Sequence, residues 1–347
     1  MINGKKILLI LPYFGTLPPN WHGFVNSCKD NSDIDFLFIS DCDIEKDIAP
    51  NIKVIRQTWA DFTSKVISDF RSLGYKRVCL SHPYKLCDMK PAYGFLFKEY
   101  IGAYDYWGYM DCDLVWGNMK KFLTEVEFDN YDRVFKYGHL SLYRNTDRMN
   151  LLFTKEIRGI TTFRYAISTS LSQNFDEIAE NQITIHEGIP FYNHSHDASF
   201  INTDYEYRWR NLYRPDLGEV FVRDASGATY SYAMNEDGSI DETEVMYIHF
   251  LTKKNIVIPD EVQPPYVITR KGVFHFDKTL LLQMIESTVC TNEEQATFHK
   301  EYRDIIRRRW KKSILMEIKY NKWRSPYYFA RRMGGYLEYI KYLLKRI

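Results

Sequence analysis

Tyr106-Trp107-Gly108-Tyr109-Met110-Asp111-Cys112-Asp113 is an uncharged, mainly aromatic run that stops at two carboxylates one residue apart. A short apolar run of this kind reads as a strand buried on both faces, the usual state of a strand inside a parallel sheet. The segments before it agree. Lys6-Ile-Leu-Leu-Ile-Leu11 and Asp35-Phe-Leu-Phe-Ile39 are further buried strands, and Ile52 to Ile55 is a short third one. Trp21, Phe24, Val25 and Cys28 recur at helical spacing, as do Trp59, Phe62, Val66, Phe70 and Leu73, with Gly74 placed to close that helix. Pro91 suits the first turn of another helix. The order β-α-β-β-α-α-β predicts a doubly wound, Rossmann-like α/β domain whose ligand crevice lies at the carboxyl ends of the strands.

Beyond Leu114 the pattern is mixed. Arg133 to Tyr137, Ser141 to Tyr143 and Met246 to Phe250 read as strands, and Asp147 to Lys155 as a short helix. Val220 to Val222 and Thr229 to Ala233 are placed to pair as a hairpin, with Gly227 in the turn. After Pro259 come proline-marked connections and then helices, including Leu280 to Ile285. The expected division is therefore a Rossmann-like α/β domain over 1–258 and a basic, aromatic helical region over 259–347.

The 347 residues allow a sizeable core, and the 16% aromatic content suits either that core or the stacking of flat polar ligands. Six cysteines stand at 28, 42, 79, 87, 112 and 290 without a Cys-x-x-Cys pair, so the reading is free thiols and a reduced compartment. Lys5 and Lys6 precede only a short apolar run, which is no secretory signal, and no stretch is long enough to span a bilayer. The expected location is cytoplasmic. A net charge of +1 hides an asymmetry: residues 300–347 carry 15 Lys and Arg against 4 Asp and Glu, leaving the tail at +11 and the rest at −10. An acidic body with a basic tail predicts that the tail meets something anionic.

Asp111 and Asp113, at a strand's carboxyl end, can share a hard divalent cation, Mn²⁺ or Mg²⁺, with a diphosphate. His249, on the strand-like segment Met246 to Phe250, can complete such a shell or be a satisfied core histidine. Lys85 and Lys90 bring cations ahead of a helix start, and Asp88 between them can accept from a sugar or ribose hydroxyl. Pro12-Tyr13-Phe14-Gly15 ends the first strand, where Tyr13 or Phe14 can stack on a base. Asp41 ends the second, where it can bond to the base edge or the ribose. Asp176 and Glu177 are candidates either for a general base or for an N-terminal helix cap.

Pro12-Tyr-Phe-Gly15, Pro83-Tyr-Lys-Leu-Cys-Asp-Met-Lys-Pro91-Ala-Tyr-Gly94, Trp107-Gly-Tyr-Met-Asp-Cys-Asp-Leu-Val-Trp-Gly-Asn118, Gly138-His-Leu-Ser-Leu-Tyr-Arg-Asn145 and Phe175-Asp-Glu177 together resemble a family of bacterial glycosyltransferases that accompany capsule and O-antigen biosynthesis genes. The resemblance covers roughly residues 5 to 255. It implies a GT-A fold, a nucleoside-diphosphate sugar donor with a UDP-sugar favoured, and a divalent metal. It also implies that Asp111 and Asp113 form the metal motif, with His249 as the extra ligand. The acceptor it implies is a glycan, typically lipid-linked, which places the enzyme on the inner face of the membrane. Ile178-Ala-Glu-Asn181 departs from the glycine-rich continuation such proteins often carry after Phe175-Asp-Glu177, which weakens any transfer of an acceptor loop.

Two other enzyme classes and one non-enzymatic role compete. His194-Ser-His196-Asp197 is reminiscent of zinc hydrolases, but Ser199 stands where a last histidine is needed. A metal-dependent sugar nucleotidyltransferase shares the crevice, yet the loop Pro12 to Pro19 has one glycine and no cation for a phosphate. An inactive carbohydrate- or membrane-binding protein is the third. In the tail, Arg307-Arg-Arg-Trp-Lys-Lys312 and the aromatic positions after it fit an anionic bilayer surface, or packing on the catalytic domain or a second subunit. No nucleic-acid recognition motif is present.

Overall fold

Ile7–Tyr13 forms β1 and lies between parallel neighbours, β2 (Asp35–Ser40) on one side and β4 (Tyr106–Met110) on the other. The computed structural model describes residues 1–192, 200–202, 217–250, 257–269 and 271–294, with positions 296 and 307. Within them β3 (Ile52–Arg56) pairs parallel to β2, and β5 (Leu114–Trp116) leaves the sheet after the acidic triplet. β6 (Arg133–Tyr137) and β7 (Leu140–Arg144) form an antiparallel pair, and β7 docks antiparallel on β4. β8 (Phe191–Tyr192) closes the far edge, giving a seven-stranded sheet in the order β3-β2-β1-β4-β7-β6-β8. The expected class, α/β with parallel strands at the centre, is the one observed.

Side-chain alternation explains why both faces of β1 are apolar. Leu8 and Ile10 join Leu37 and Ile39 in one core with Phe62, Val66 and Phe70 of helix α2 (Trp59–Ser72). Ile7, Leu9 and Leu11 join Phe36 and Phe38 in the other, against Phe24, Val25 and Cys28 of helix α1 (Trp21–Asp30). Each such fully buried side chain contributes roughly 1.5–3 kcal/mol over leaving it in water. Thr58 caps α2 by accepting from Asp61 N at 3.1 Å, and Gly74, with φ +82°, ends it as expected. All six cysteines are free thiols.

Beyond β9 (Phe200–Asn202), β10 (Glu219–Arg223) and β11 (Thr229–Met234) form the expected hairpin, with Gly227 at φ +87°. β12 (Ile240–Val245) extends it, while β13 (Tyr247–His249) pairs with β5 and β9. β14 (Tyr266–Thr269) and β15 (Gly272–His275) complete a five-stranded antiparallel sheet, β12-β11-β10-β14-β15. Residue 258, the expected boundary, thus falls between strands of one sheet. The stretch after Pro259, read as connections leading to helices, holds the β14–β15 hairpin, whose four-residue strands give little period-2 signal. No helix among the described residues is long and apolar enough to cross a membrane. His194, His196 and Asp197 lie outside the described residues, as does the tail from residue 300 onward apart from position 307.

Candidate active site

β4 delivers Asp111 to the carboxyl edge of the sheet, and the turn into β5 brings Asp113 round beside it. β13 runs antiparallel to β5, with His249 opposite Leu114. That register carries the imidazole to the triplet across more than 130 residues of chain. One ligand atom from each of Asp111, Asp113 and His249 lies within 4.8 Å of the others. His249 Nε2 is 3.3 Å from Asp113 Oδ1. Two carboxylates and one imidazole, gathered at the rim of a cleft, form a donor set that suits a hard or borderline divalent ion with open positions for phosphate oxygens.

Lys90 is the neighbouring charge. Its ammonium ion-pairs with Asp111 and donates to the Gly138 carbonyl at 2.6 Å. Burial works against its charge, but Asp111, Cys87 and Asp176 outweigh that and hold its pKa well above the ordinary lysine value. The Gly138 turn is also where the second pair of carboxylates arrives. A Cβ at Gly138 would stand 2.7 Å from Glu177 Cγ and 2.8 Å from Asp176 Oδ2, so a side chain there would push the two carboxylates away. Burial raises the Asp176 pKa well above the carboxylate range; Lys90 opposes this, while Glu177, Asp88 and Asp111 add to it. His139, in the same turn, bonds through Nε2 to the Tyr247 hydroxyl at 2.7 Å, with its ring 4.3 Å from that of His249. Burial, then His249 and Lys90, push its pKa well below the usual value and keep it neutral.

These residues share one cleft of about 370 Å³. Lys90, Asp111, Asp176, Glu177 and His249, all singled out from the sequence, line it together. Tyr84, Cys87, Gly138, His139, Asn174 and Asn181 line it too, and the sequence assigns none of them a role. Tyr84 is 69% exposed at the mouth, which leaves its ring open to a ligand. The signal for Gly138 and His139 was a polar turn between two strands; only strand pairing shows that it faces the triplet.

The other candidates are placed differently. Lys85 and Asp88, expected to meet a nucleotide-sugar, are fully buried and bonded to each other at 2.6 Å, with no surface left for a ligand. Phe14, expected as a stacking ring, is a core residue against Trp59 and Phe62. Pro12 is buried in β1. Tyr13 is partly buried and donates to Thr16 O at 2.6 Å; burial, then Cys112, Cys42 and Asp113, push its pKa up to about 12. Asp41 accepts from Gly15 N at 3.0 Å, tying the ends of β1 and β2 together. It lines a separate cavity of about 550 Å³ at the ends of β2 and β3, with Arg56, Gln57 and Thr58.

Fold and site together define an α/β protein with a carboxylate–imidazole group at the rim of its central sheet. Residues 9–278 match the profile of the family described as "Family of unknown function (DUF6625)", and the chain belongs to that family. No curated protein matches it by sequence. Several solved structures resemble it. Mouse xyloside xylosyltransferase 1, in its apo form, is 11% identical with a TM-score of 0.38, over 74% of this chain and 99% of that one. The galactosyltransferase LgtC, in complex with donor and acceptor sugar analogues, is 11% identical with a TM-score of 0.32, over 58% and 78%. The glycosyltransferase GlyE of Streptococcus pneumoniae TIGR4 is 10% identical with a TM-score of 0.36, over 87% and 64%. At these identities the likeness is one of fold alone.

Proposed function

We propose that the chain is a metal-dependent glycosyltransferase of the GT-A type, moving a sugar from a nucleoside diphosphate, UDP favoured, to a glycan hydroxyl. The observation that carries this reading is the convergence of Asp111, Asp113 and His249, of which Asp111 and His249 line the cleft beside Lys90. Asp111, Asp113 and His249 would hold the ion. When bound, it supplies Lewis-acid stabilisation of the departing diphosphate. Lys90 adds a fixed positive charge on the same side, in a site where preorganised charge counts for more than in water. Asp176 and Glu177, across the Gly138 turn, stand where an acceptor hydroxyl can give up its proton. Burial raises the Asp176 pKa, which makes its carboxylate a stronger base than a solvated one. The setting in which we place the reaction is capsule or O-antigen synthesis, on a lipid-linked acceptor at the inner face of the membrane.

The test is incubation with a panel of sugar nucleotides and Mn²⁺. The expected result is free nucleoside diphosphate from one of them, with turnover lost by at least ~10³-fold in Asp113→Ala at unchanged thermal stability. Pyrophosphate as the product would replace this reading by nucleotidyl transfer, and full turnover in Asp113→Ala would overturn the metal assignment.

A further inference from the structure

Lys85 and Asp88 lie three residues apart in the 3₁₀ segment Pro83–Ala92, and both are fully buried. Lys85 has three N–H donors and uses all of them: Asp88 Oδ2 at 2.6 Å, Ala166 O at 2.6 Å and Leu171 O at 2.7 Å. Asp88 accepts from Gln173 N with both oxygens, each at 2.9 Å, and from Phe175 N with Oδ1 at 2.9 Å. Between those two amides stands Asn174, in the left-handed region at φ 51° and ψ 44°. Main-chain amides converging around a left-handed residue form a nest for an anion. Here the anion is a side chain of the same protein. The residues that follow, Asp176 and Glu177, lie on the π-helical turn Phe175–Ala179, a form that departs from regular helix and recurs at functional sites.

A buried ion pair is by itself a weak source of stability, since desolvation offsets its attraction. Apart from the bond between its members, the pair bonds instead to the backbone of residues 166, 171, 173 and 175, the stretch that leads into the acidic turn. We propose that Lys85 and Asp88 are positioning residues: a strut that fixes the Asn174 to Glu177 edge of the cleft and so sets Asp176 against Lys90 and Gly138. This rests on the reading in which Asp176 accepts the acceptor's proton. Neither strut residue lines the cleft, so their effect passes through Asp176.

Asp88→Asn replaces an acceptor oxygen by an amide of equal size and leaves Lys85 without its counter-charge. Asn174→Val, at an exposed position on the wall of the cleft, opposes the same left-handed geometry without touching the buried pair, and Asn174→Gly, which keeps that geometry while removing the same side chain, controls for direct loss of the wall. Three readouts are taken on the full chain: amide exchange at residues 173–178, Mn²⁺ affinity, and kcat against donor KM. In Asp88→Asn and Asn174→Val exchange at 173–178 is expected to rise at least ~10-fold while β4 stays protected. Mn²⁺ affinity stays within about twofold, and kcat falls about 10²-fold with donor KM nearly unchanged, as misplacement of a reacting group predicts. Unchanged exchange and kcat in a folded Asn174→Val variant overturns the strut. So does a parallel loss of kcat, donor affinity and Mn²⁺ affinity in these two variants. If the wild-type chain turns over no sugar nucleotide, the proposed reaction falls by itself. The exchange data then decide: local acceleration upholds the strut as the organiser of that edge, and its absence overturns it.

Discussion

Lys90 is the residue at which the two halves of the candidate site meet, because it pairs with Asp111 and bonds to the turn that abuts Asp176 and Glu177. A cation so close to Asp111 competes with any ion that Asp111 holds. Lys90→Met is therefore expected to tighten Mn²⁺ binding about tenfold, the order of one fixed charge at short range in a partly solvated site. The same change lowers turnover about 10²–10³-fold, since the charge facing the leaving group is lost. Isothermal titration and a diphosphate-release assay read the two effects, and a variant that binds Mn²⁺ more weakly contradicts this account. The carboxylates were legible because an uncharged strand ending in Asp-x-Asp is a local pattern. The roles of Lys85 and Lys90 were not. Three residues per 3₁₀ turn bring Lys85 and Asp88 over one another, while Lys90 points to another side of the segment. Tyr13 and Phe14 were equally hard to separate, and it is the turn just past β1 that sends Phe14 into the core.

At the scale of elements, a buried polar nest joins the sheet to the helical segment Glu180–His186 behind the cleft. Arg133 of β6 is fully buried, donates from Nη1 to Thr184 Oγ1 at 2.6 Å, and lies over the Tyr143 ring at 5.1 Å. Glu180 faces the same interior. Burial raises its pKa to about 7, against the opposing pull of Arg133 and Tyr143. Because the folded pKa exceeds the unfolded value of 4.5, Glu180's contribution to stability is full below that value and is lost as pH rises through about 7. Between pH 5 and pH 8.5 the unfolding free energy should fall by an extra ~2–3 kcal/mol in the wild type relative to Glu180→Gln. Urea unfolding at the two pH values measures it, and equal slopes contradict it. Continuous apolar runs made β1, β2 and β4 legible from sequence. The helix expected to begin at Asp176 and Glu177 is instead a π turn entered through Asn174, whose geometry depends on Asp88, more than 80 residues upstream. No local pattern carries that information.

For the whole molecule, charge is divided along the chain: an acidic body of −10 and a tail of +11 from residue 300 onward. We place that tail against an anionic bilayer, where each exposed cation contributes about 1 kcal/mol. Truncation after residue 295 should abolish co-sedimentation with phosphatidylserine vesicles at low salt and leave turnover on a soluble acceptor unchanged; retained vesicle binding contradicts the assignment. The account as a whole depends on strands from distant parts of the chain bringing Asp111, Asp113 and His249 to one point. Titration of Mn²⁺ into the wild-type chain, Asp113→Ala and His249→Ala, each with UDP present, tests this most directly. The predicted result is one ion per wild-type chain and an affinity at least ~100-fold lower in each variant. Equal Mn²⁺ affinity in all three proteins would contradict it.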